Sequence, residues 1–353
     1  MDAILKREEQ AILTLRKLYR RYGYVPYKMS RFEEYDLYVR SKDFLVSDQI
    51  ITFSGDRGKL MALKPDVTMS IVKNAPEEPN VVQKVYYNEN VYRDYREIMQ
   101  AGLECVGDLG DYEIAEVVLL AARSLELLEE NYVLDISHMG LVSAALDSCG
   151  LDGEKKQQAM EYLRRKNLPG LETLCPQQAQ KLLTLASCHG SGKDLLKKVG
   201  EVLTTEEEKT AWQELKRLLD MLEENGFGSH VRLDFSVGNN MRYYSGVVFR
   251  GYLEGIHTSV LSGGQYDRLP RKLGRQARAV GFAIYVDLLQ ELRGERDLLD
   301  VDTLILHDGS ADAVALTKAA AEAAREGTVL VARHLPEGRC WKKLIRFEKG
   351  EMV

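Results

Sequence analysis

Cysteine is scarce in this chain and never paired in sequence. Cys105, Cys149, Cys175, Cys188 and Cys340 are odd in number and scattered over 353 residues. That spacing argues against a disulfide framework and a zinc knuckle, and it fits a reducing cytoplasm. The histidines (His138, His189, His230, His257, His307, His334) show no ligand spacing, so no metal and no other cofactor is expected. No run of about 18 apolar residues occurs, so no transmembrane helix is expected. The segment Met1-Asp2-Ala3-Ile4-Leu5-Lys6-Arg7-Glu8-Glu9 turns charged too early for a signal peptide. Surplus positive charge is missing as well. With 48 Lys and Arg against 54 Asp and Glu, the net charge is −6, which disfavours a protein whose main work is gripping phosphate backbones. Internal repeats and low-complexity tracts are absent.

What is present is the composition of a globular protein, with 45% hydrophobic and 29% charged residues. The length suggests roughly two domains with room for an insert. Residues 2–21 read as a helix stopped by Gly23, and Ile4, Ile12, Leu15, Tyr19 and the following Tyr22 fall near one face. Runs at 49–53 and 59–64 flank a turn-rich pentad, Ser54-Gly55-Asp56-Arg57-Gly58, and read as a hairpin. A helix starts at Val67–Asn74. Runs at 80–92 and 98–106 read as a second hairpin with a long polar tip, Arg93 to Glu97. A helix over about Asp111–Glu130 and a strand over 132–137 follow.

Residues 140–226 are rich in Leu, Lys and Glu with helical spacing, and they read as a helical insert. Strand-like sequence returns at 230–236, 243–253 and 256–262. Residues 266–274 then read as a helix, and Ala279–Glu291 begins as a strand and ends as a helix. A βαβ pattern (Val301–Leu306, Ala311–Arg325, Thr328–Ala332) occupies the tail. The fold class is therefore α+β: an antiparallel sheet with flanking helices over 1–139 and 227–295, the insert at 140–226, and a small α/β piece at 296–353.

Four segments carry the chemistry. They are Phe53-Ser-Gly-Asp56 with Leu63-Lys64-Pro65-Asp66-Val67-Thr68; Val85-Tyr86-Tyr87-Asn88-Glu89 with Arg96 through Glu104; Asn239-Asn240-Met241-Arg242-Tyr243-Tyr244-Ser245-Gly246; and Ser262-Gly263-Gly264-Gln265-Tyr266-Asp267 with Ala279-Val280-Gly281-Phe282-Ala283. In this order, with the insert between the second and third, they resemble the catalytic domain of histidyl-tRNA synthetase, a class II synthetase, over residues 1–295. The resemblance implies that positions matching Asp66, Thr68, Gln100 and Glu104 hold the ammonium group of histidine. It likewise implies that positions matching Tyr243, Tyr244 and Tyr266 surround the imidazole. Carboxylates with an amide suit an ammonium, and tyrosines give an apolar wall with a polar tip.

The departures from that family matter as much. The family's phosphate-holding Arg is Tyr87 here, its adenine-stacking Arg is Leu288, and the further Arg before the tyrosine pair is Asn239. The first-motif proline is Ser30. Adenylate formation needs fixed cations on phosphate oxygens, which Tyr and Leu cannot supply. Each such loss costs about 3 kcal/mol, so no catalysis is expected.

A synthetase core that keeps its amino-acid pocket and loses its ATP arginines resembles the regulatory subunits of short-form ATP phosphoribosyltransferase. So does the tail, since the synthetase's α/β anticodon domain spans about 100 residues and residues 300–353 supply about half of that. This resemblance implies a cytoplasmic, non-catalytic subunit of histidine biosynthesis. It would form a homodimer through residues 20–50 and join a short catalytic subunit in a hetero-oligomer, commonly an octamer. It would activate that subunit and take part in histidine feedback, with tRNA not expected as a partner. A divergent synthetase and an orphan histidine-binding paralogue are the alternatives.

Three weaker signals complete the reading. Gly190-Ser191-Gly192-Lys193 lacks phosphate-loop spacing and a preceding strand, and reads as a loop. Arg93, Arg96 and Lys84 read as a relic of an ATP and acceptor-stem surface or as a solvated hairpin tip. Strand alternation would turn Arg242 away from Tyr243.

Overall fold

Alternating Val, Tyr and Leu between residues 82 and 107 build the longest strands, and the rest of the sheet assembles beside them. The structure is a computed structural model that describes residues 5–40, 45, 49–55, 58–76, 78, 80–238, 243–292, 301–348 and 351–352. In chain order the first elements are α1 (Arg7–Arg21), β1 (Val25–Pro26), β2 (Phe32–Glu34), α2 (Tyr35–Arg40), β3 (Thr52–Ser54), β4 (Leu60–Leu63) and α3 (Thr68–Lys73). Next come β5 (Val82–Arg93), β6 (Arg96–Gly107), α4 (Asp111–Leu128), β7 (Tyr132–His138) and α5 (Met139–Ser148). The insert continues with α6 (Gly153–Arg164), α7 (Leu168–Leu174), α8 (Ala179–Ser187), β8 (His189–Gly190), α9 (Lys193–Val202) and α10 (Glu206–Glu224). The chain then returns through β9 (Val231–Asp234), β10 (Val247–Leu253), β11 (Leu261–Gln265), α11 (Arg268–Lys272) and β12 (Arg278–Tyr285), ending in a 3₁₀ segment at Val286–Glu291.

Nine strands form the main sheet in the order β1-β5-β6-β12-β11-β10-β7-β9-β8. Its pairs are antiparallel except β1 with β5 and β7 with β9, so the sheet is mixed and not purely antiparallel. Side-chain alternation divides it into two faces. On one face Leu103, Phe249 and Phe282 are buried where α1 and α4 pack, and Tyr19 and Ser124 of those helices share a hydrogen bond of 3.1 Å. The opposite face bears Gln100, Glu104, Gly281 and Val248, which all line one cavity. A separate three-stranded sheet, β2-β4-β3, carries the first hairpin.

The chain divides into two compact units, Arg7–Leu289 and a second that holds Gln290–Val353. The insert helices fall inside the first unit. Glu208 fastens three of them: its carboxylate accepts Lys181 Nζ at 2.5 Å and Ser148 Oγ at 2.6 Å. It also takes the backbone N–H groups of Thr204 and Thr205, completing a capping box on α10. Burial opposes its ionisation, but these bonds outweigh it and hold the carboxyl down to about 2. The second unit contains β13 (Val301–His307), α12 (Ala313–Ala323), β14 (Val329–Ala332), β15 (Trp341–Glu348) and β16 (Glu351–Met352), in the sheet order β14-β13-β15-β16. The last two strands extend the βαβ pattern expected there.

Several expectations change. The tip of the second hairpin is not long: β5 and β6 stay paired up to Arg93↔Arg96, and only Asp94 and Tyr95 turn. Both have positive φ, 51° and 60°, the conformation of a type I′ turn, whose twist matches that of the strands. The strand expected at 256–262 begins only at Leu261, and Tyr243 and Tyr244 precede β10 instead of lying in it. Gly190-Ser191-Gly192 does follow a strand, the two-residue β8.

Tyr95 holds a left-handed conformation while 83% exposed, so its side chain gains little from packing. Replacing Tyr95 by Gly is expected to raise stability by about 0.5 kcal/mol, or about 1–2 °C in a thermal melt.

Candidate functional site

Seven residues singled out from sequence meet in one place. Asp66, Thr68, Gln100, Glu104, Tyr243, Tyr244 and Tyr266 all line a single cavity of about 410 Å³. Its floor is the face of the sheet, between β6 and β10, that bears Gln100 and Glu104. Its roof is the turn into α3, where Pro65 ends the strand and Asp66 starts the helix by accepting the N–H of Met69 at 2.9 Å.

Three glycines of β6, β11 and β12 leave the space that neighbouring side chains occupy. A Cβ on Gly281 would stand 1.7 Å from a Glu104 oxygen, and one on Gly102 would stand 2.6 Å from the Tyr87 hydroxyl. At Gly264, φ is +158°, and a Cβ would press on the Tyr244 ring at 2.8 Å. These positions tolerate no side chain.

Glu104 is the centre of the cluster. Thr68 donates its hydroxyl hydrogen to one carboxyl oxygen at 2.7 Å, and Tyr266 donates to the other. Burial raises the carboxyl to about 8, against the lowering effect of both hydrogen bonds and with a further push from Asp66. Asp66 is also raised by burial, although Arg93 and two backbone N–H groups counter that in part. Near neutral pH Glu104 therefore favours its protonated form, and Asp66 takes up a proton more readily than an exposed carboxylate would.

The tyrosines stack on this cluster. Tyr243 and Tyr244 meet edge to face at 4.8 Å, and Tyr243 and Tyr266 lie 5.5 Å apart. The turn that presents the pair is tied to β11: Ser245 N donates to the Gln265 carbonyl at 2.8 Å, and Asp267 N donates to Ser245 Oγ at 3.0 Å. Because the pair sits in this turn, both rings reach the cavity, which strand alternation would have prevented. Arg242 lies outside the described residues, and so does Asn239.

Of the departures from the synthetase pattern, Tyr87 lines the cavity, is buried, and has its hydroxyl pushed well above its ordinary acidity range by that burial. Leu288 is half-buried on the 3₁₀ segment and is not among the cavity-lining residues.

The sequence reading missed Arg93, Arg250, Ser262 and Tyr285, which line the same cavity. Arg93 is no solvated tip residue; it is only 6% exposed. Lys84 instead bridges to Glu116 at 2.7 Å. Strand parity held the missing signal. Arg93 shares its face with Tyr87, and Arg250 stands in one register row with Ser262, Ala283, Gly102 and Tyr87. Among the described residues, no cluster of three His, Cys, Asp or Glu could hold a metal ion.

Replacing Glu104 by Gln keeps a group that can accept from Tyr266 and bond Thr68 while removing the charge. Since the folded carboxyl titrates near 8 and the unfolded one near 4.5, wild-type stability from this group is full below about 4.5 and is lost as pH rises through 8. The slope is roughly 1.4 kcal/mol per pH unit. Melting temperatures measured from pH 5 to 8 are expected to fall more steeply for the wild type than for Glu104→Gln.

With this geometry in hand, comparison with known proteins is informative. Residues 2–289 match the family model of histidyl-tRNA synthetase. The chain is 26% identical over 314 residues to an ATP phosphoribosyltransferase regulatory subunit of Acetivibrio thermocellus, covering 83% of this chain and 75% of that protein. Among solved structures it is similar to an ATP phosphoribosyltransferase regulatory subunit/histidyl-tRNA synthetase from Bacillus halodurans. That likeness has a TM-score of 0.75 and 24% identity, covering 96% of this chain and 93% of the other. It is also similar to a chain of an ATP phosphoribosyl transferase complex from Thermotoga maritima, with a TM-score of 0.63, 17% identity and coverage of 79% and 97%. The structural likenesses speak for the fold.

Proposed function

The chain belongs to the histidyl-tRNA synthetase family, and from that premise we propose that it is the non-catalytic regulatory subunit of a short-form ATP phosphoribosyltransferase. In this reading it activates the catalytic subunit and takes part in histidine feedback, acting in the cytoplasm. One observation carries it. The residues expected to read an amino acid share one cavity, while the position expected to hold a phosphate-binding Arg is the buried Tyr87. The relatives named above as regulatory subunits support the same reading.

Histidine enters with its ammonium between Asp66 and Glu104 and its ring against Tyr243, Tyr244 and Tyr266. Gln100, at 3% exposure on the cavity wall, offers an amide to the polar end. The arriving cation favours the ionised form of Glu104, so binding expels its proton. Without the arginines, ATP finds no fixed cation at Tyr87 or Leu288, and no adenylate forms. Feedback then requires that histidine bind one state of the assembly better than the other. The assembly itself, a homodimer within a hetero-octamer, belongs to this proposal.

The test is phosphoribosyl-ATP formation by the short catalytic subunit of the same organism, with and without this chain. The rate is expected to rise when the chain is added and to fall when histidine follows. Glu104→Gln is expected to raise the histidine concentration needed for half inhibition by about 10- to 100-fold. A rate indifferent to the chain would overturn the proposal. Histidine-dependent ATP–pyrophosphate exchange would instead restore the synthetase reading.

A further inference from the structure

An amino acid carries two charges on one carbon, and the cluster at Glu104 answers only one of them. We propose that Arg93 holds the carboxylate, so that the cavity reads the zwitterion from both ends and rejects ligands that lack an acid group. This rests on the histidine-site reading above and assigns a residue that reading leaves without a role.

Three observations carry it. Arg93 lines the same cavity as Asp66 and Glu104 and is 6% exposed. Its Nε is buried and has no hydrogen-bond partner. Its charge acts on Asp66, yet Asp66 is already engaged by the N–H of Met69. A guanidinium removed from water without full hydrogen bonding is costly. A carboxylate matches its planar fork with two parallel bonds.

Geometry selects Arg93 over the cavity's other arginine. Arg250 stands on β10, and its charge bears on Tyr244 and not on Asp66, whereas the residue before Arg93 is bonded to the turn that carries Asp66, with Tyr92 N donating to the Lys64 carbonyl at 2.9 Å. A ligand whose ammonium lies at Asp66 and Glu104 keeps its carboxylate beside them, since both groups hang from one carbon. The cation must therefore stand near Asp66, where Arg93 acts and where Arg250, across the floor, does not. The hairpin turn at Asp94-Tyr95 makes this possible, because a longer tip would leave Arg93 in solvent. The consequence is specificity: a site that binds a buried ligand group rejects the analogue lacking it, since its own polar group is then left unpaired.

Calorimetric titration of the full chain with L-histidine and with histamine, its decarboxylated amine, tests this. The wild type is expected to prefer L-histidine by about 10- to 100-fold. Arg93→Gln is expected to reduce that preference to within about threefold and to leave histamine binding unchanged. Arg250→Gln is expected to keep the preference. A wild type that binds L-histidine no better than histamine, or an Arg93→Gln variant that retains the full preference, overturns the assignment to Arg93. A wild type that binds neither ligand overturns the histidine site itself, and this assignment with it. Should Arg93→Gln lose its thermal unfolding transition, histidine methyl ester on the wild type decides. The ester keeps the ammonium and ring but not the carboxylate charge, and binding equal to that of L-histidine overturns the proposal.

Discussion

A single carboxyl group sets the terms for this fold's central cavity. Glu104 is 2% exposed, wedged between the Thr68 and Tyr266 hydroxyls, and it can lie there only because the neighbouring strand is bare. Gly281 stands directly beside it in register, and any Cβ at that position would occupy the carboxyl's own space. Gly281 of β12 and Gly264 of β11 thus leave room for the Glu104 carboxyl and the Tyr244 ring. The sheet gives up side-chain packing on this face, and the turn into α3 descends to fill part of the space. On the opposite face the same strands carry Phe249 and Phe282, whose rings lie 6.3 Å apart. One face therefore supplies the apolar burial that lets the other remain polar and hollow.

The cavity's charges are arranged as opposites across a short distance. Asp66 and Glu104, both disinclined to ionise without a counter-charge, lie near a buried guanidinium that lacks a full set of bonds. Low polarity makes such groups expensive when unmet and strong when met. The same is seen in a finished form within the insert, where Glu208 has every partner it needs and its carboxyl is held low. The contrast between the two glutamates, one raised to about 8 and one lowered to about 2, follows from their donors: two hydroxyls at Glu104, but an ammonium, a hydroxyl and two backbone N–H groups at Glu208.

Much of this was legible in the sequence. Helical and strand periods gave the order of elements, and the resemblance gathered Asp66, Thr68, Gln100, Glu104, Tyr243, Tyr244 and Tyr266, which the fold brings to one cavity. What stayed hidden depended on local backbone geometry. Asp94 and Tyr95 do not announce a type I′ turn, because neither is the glycine that usually marks one, so Arg93 reads as part of a long tip, a relic of an ATP and acceptor-stem surface or solvated. Tyr243 and Tyr244 read as the start of a strand, whereas they stand in a turn pinned by Ser245 and both line the cavity. Arg250 and Ser262, twelve residues apart, become neighbours through the β10–β11 register, which depends on where β11 begins and is not set by the strand pattern of the sequence.

The two rims of the main sheet also bear on how this molecule meets others. Its outermost strands, Val25–Pro26 and His189–Gly190, are two residues long, and Pro26 has no N–H to offer. Along the flank of β5, Tyr27 N already donates to the Tyr86 carbonyl at 2.8 Å and Tyr92 N to the Lys64 carbonyl at 2.9 Å. Among the described residues, these bonds cover both ends of the β5 flank, part of the backbone that would otherwise template a further strand, the usual route to fibrous or swapped aggregates. Where the rims are short or covered, a neighbouring chain meets side chains instead of an open ladder, so contact there is set by residue identity and can be tuned one substitution at a time.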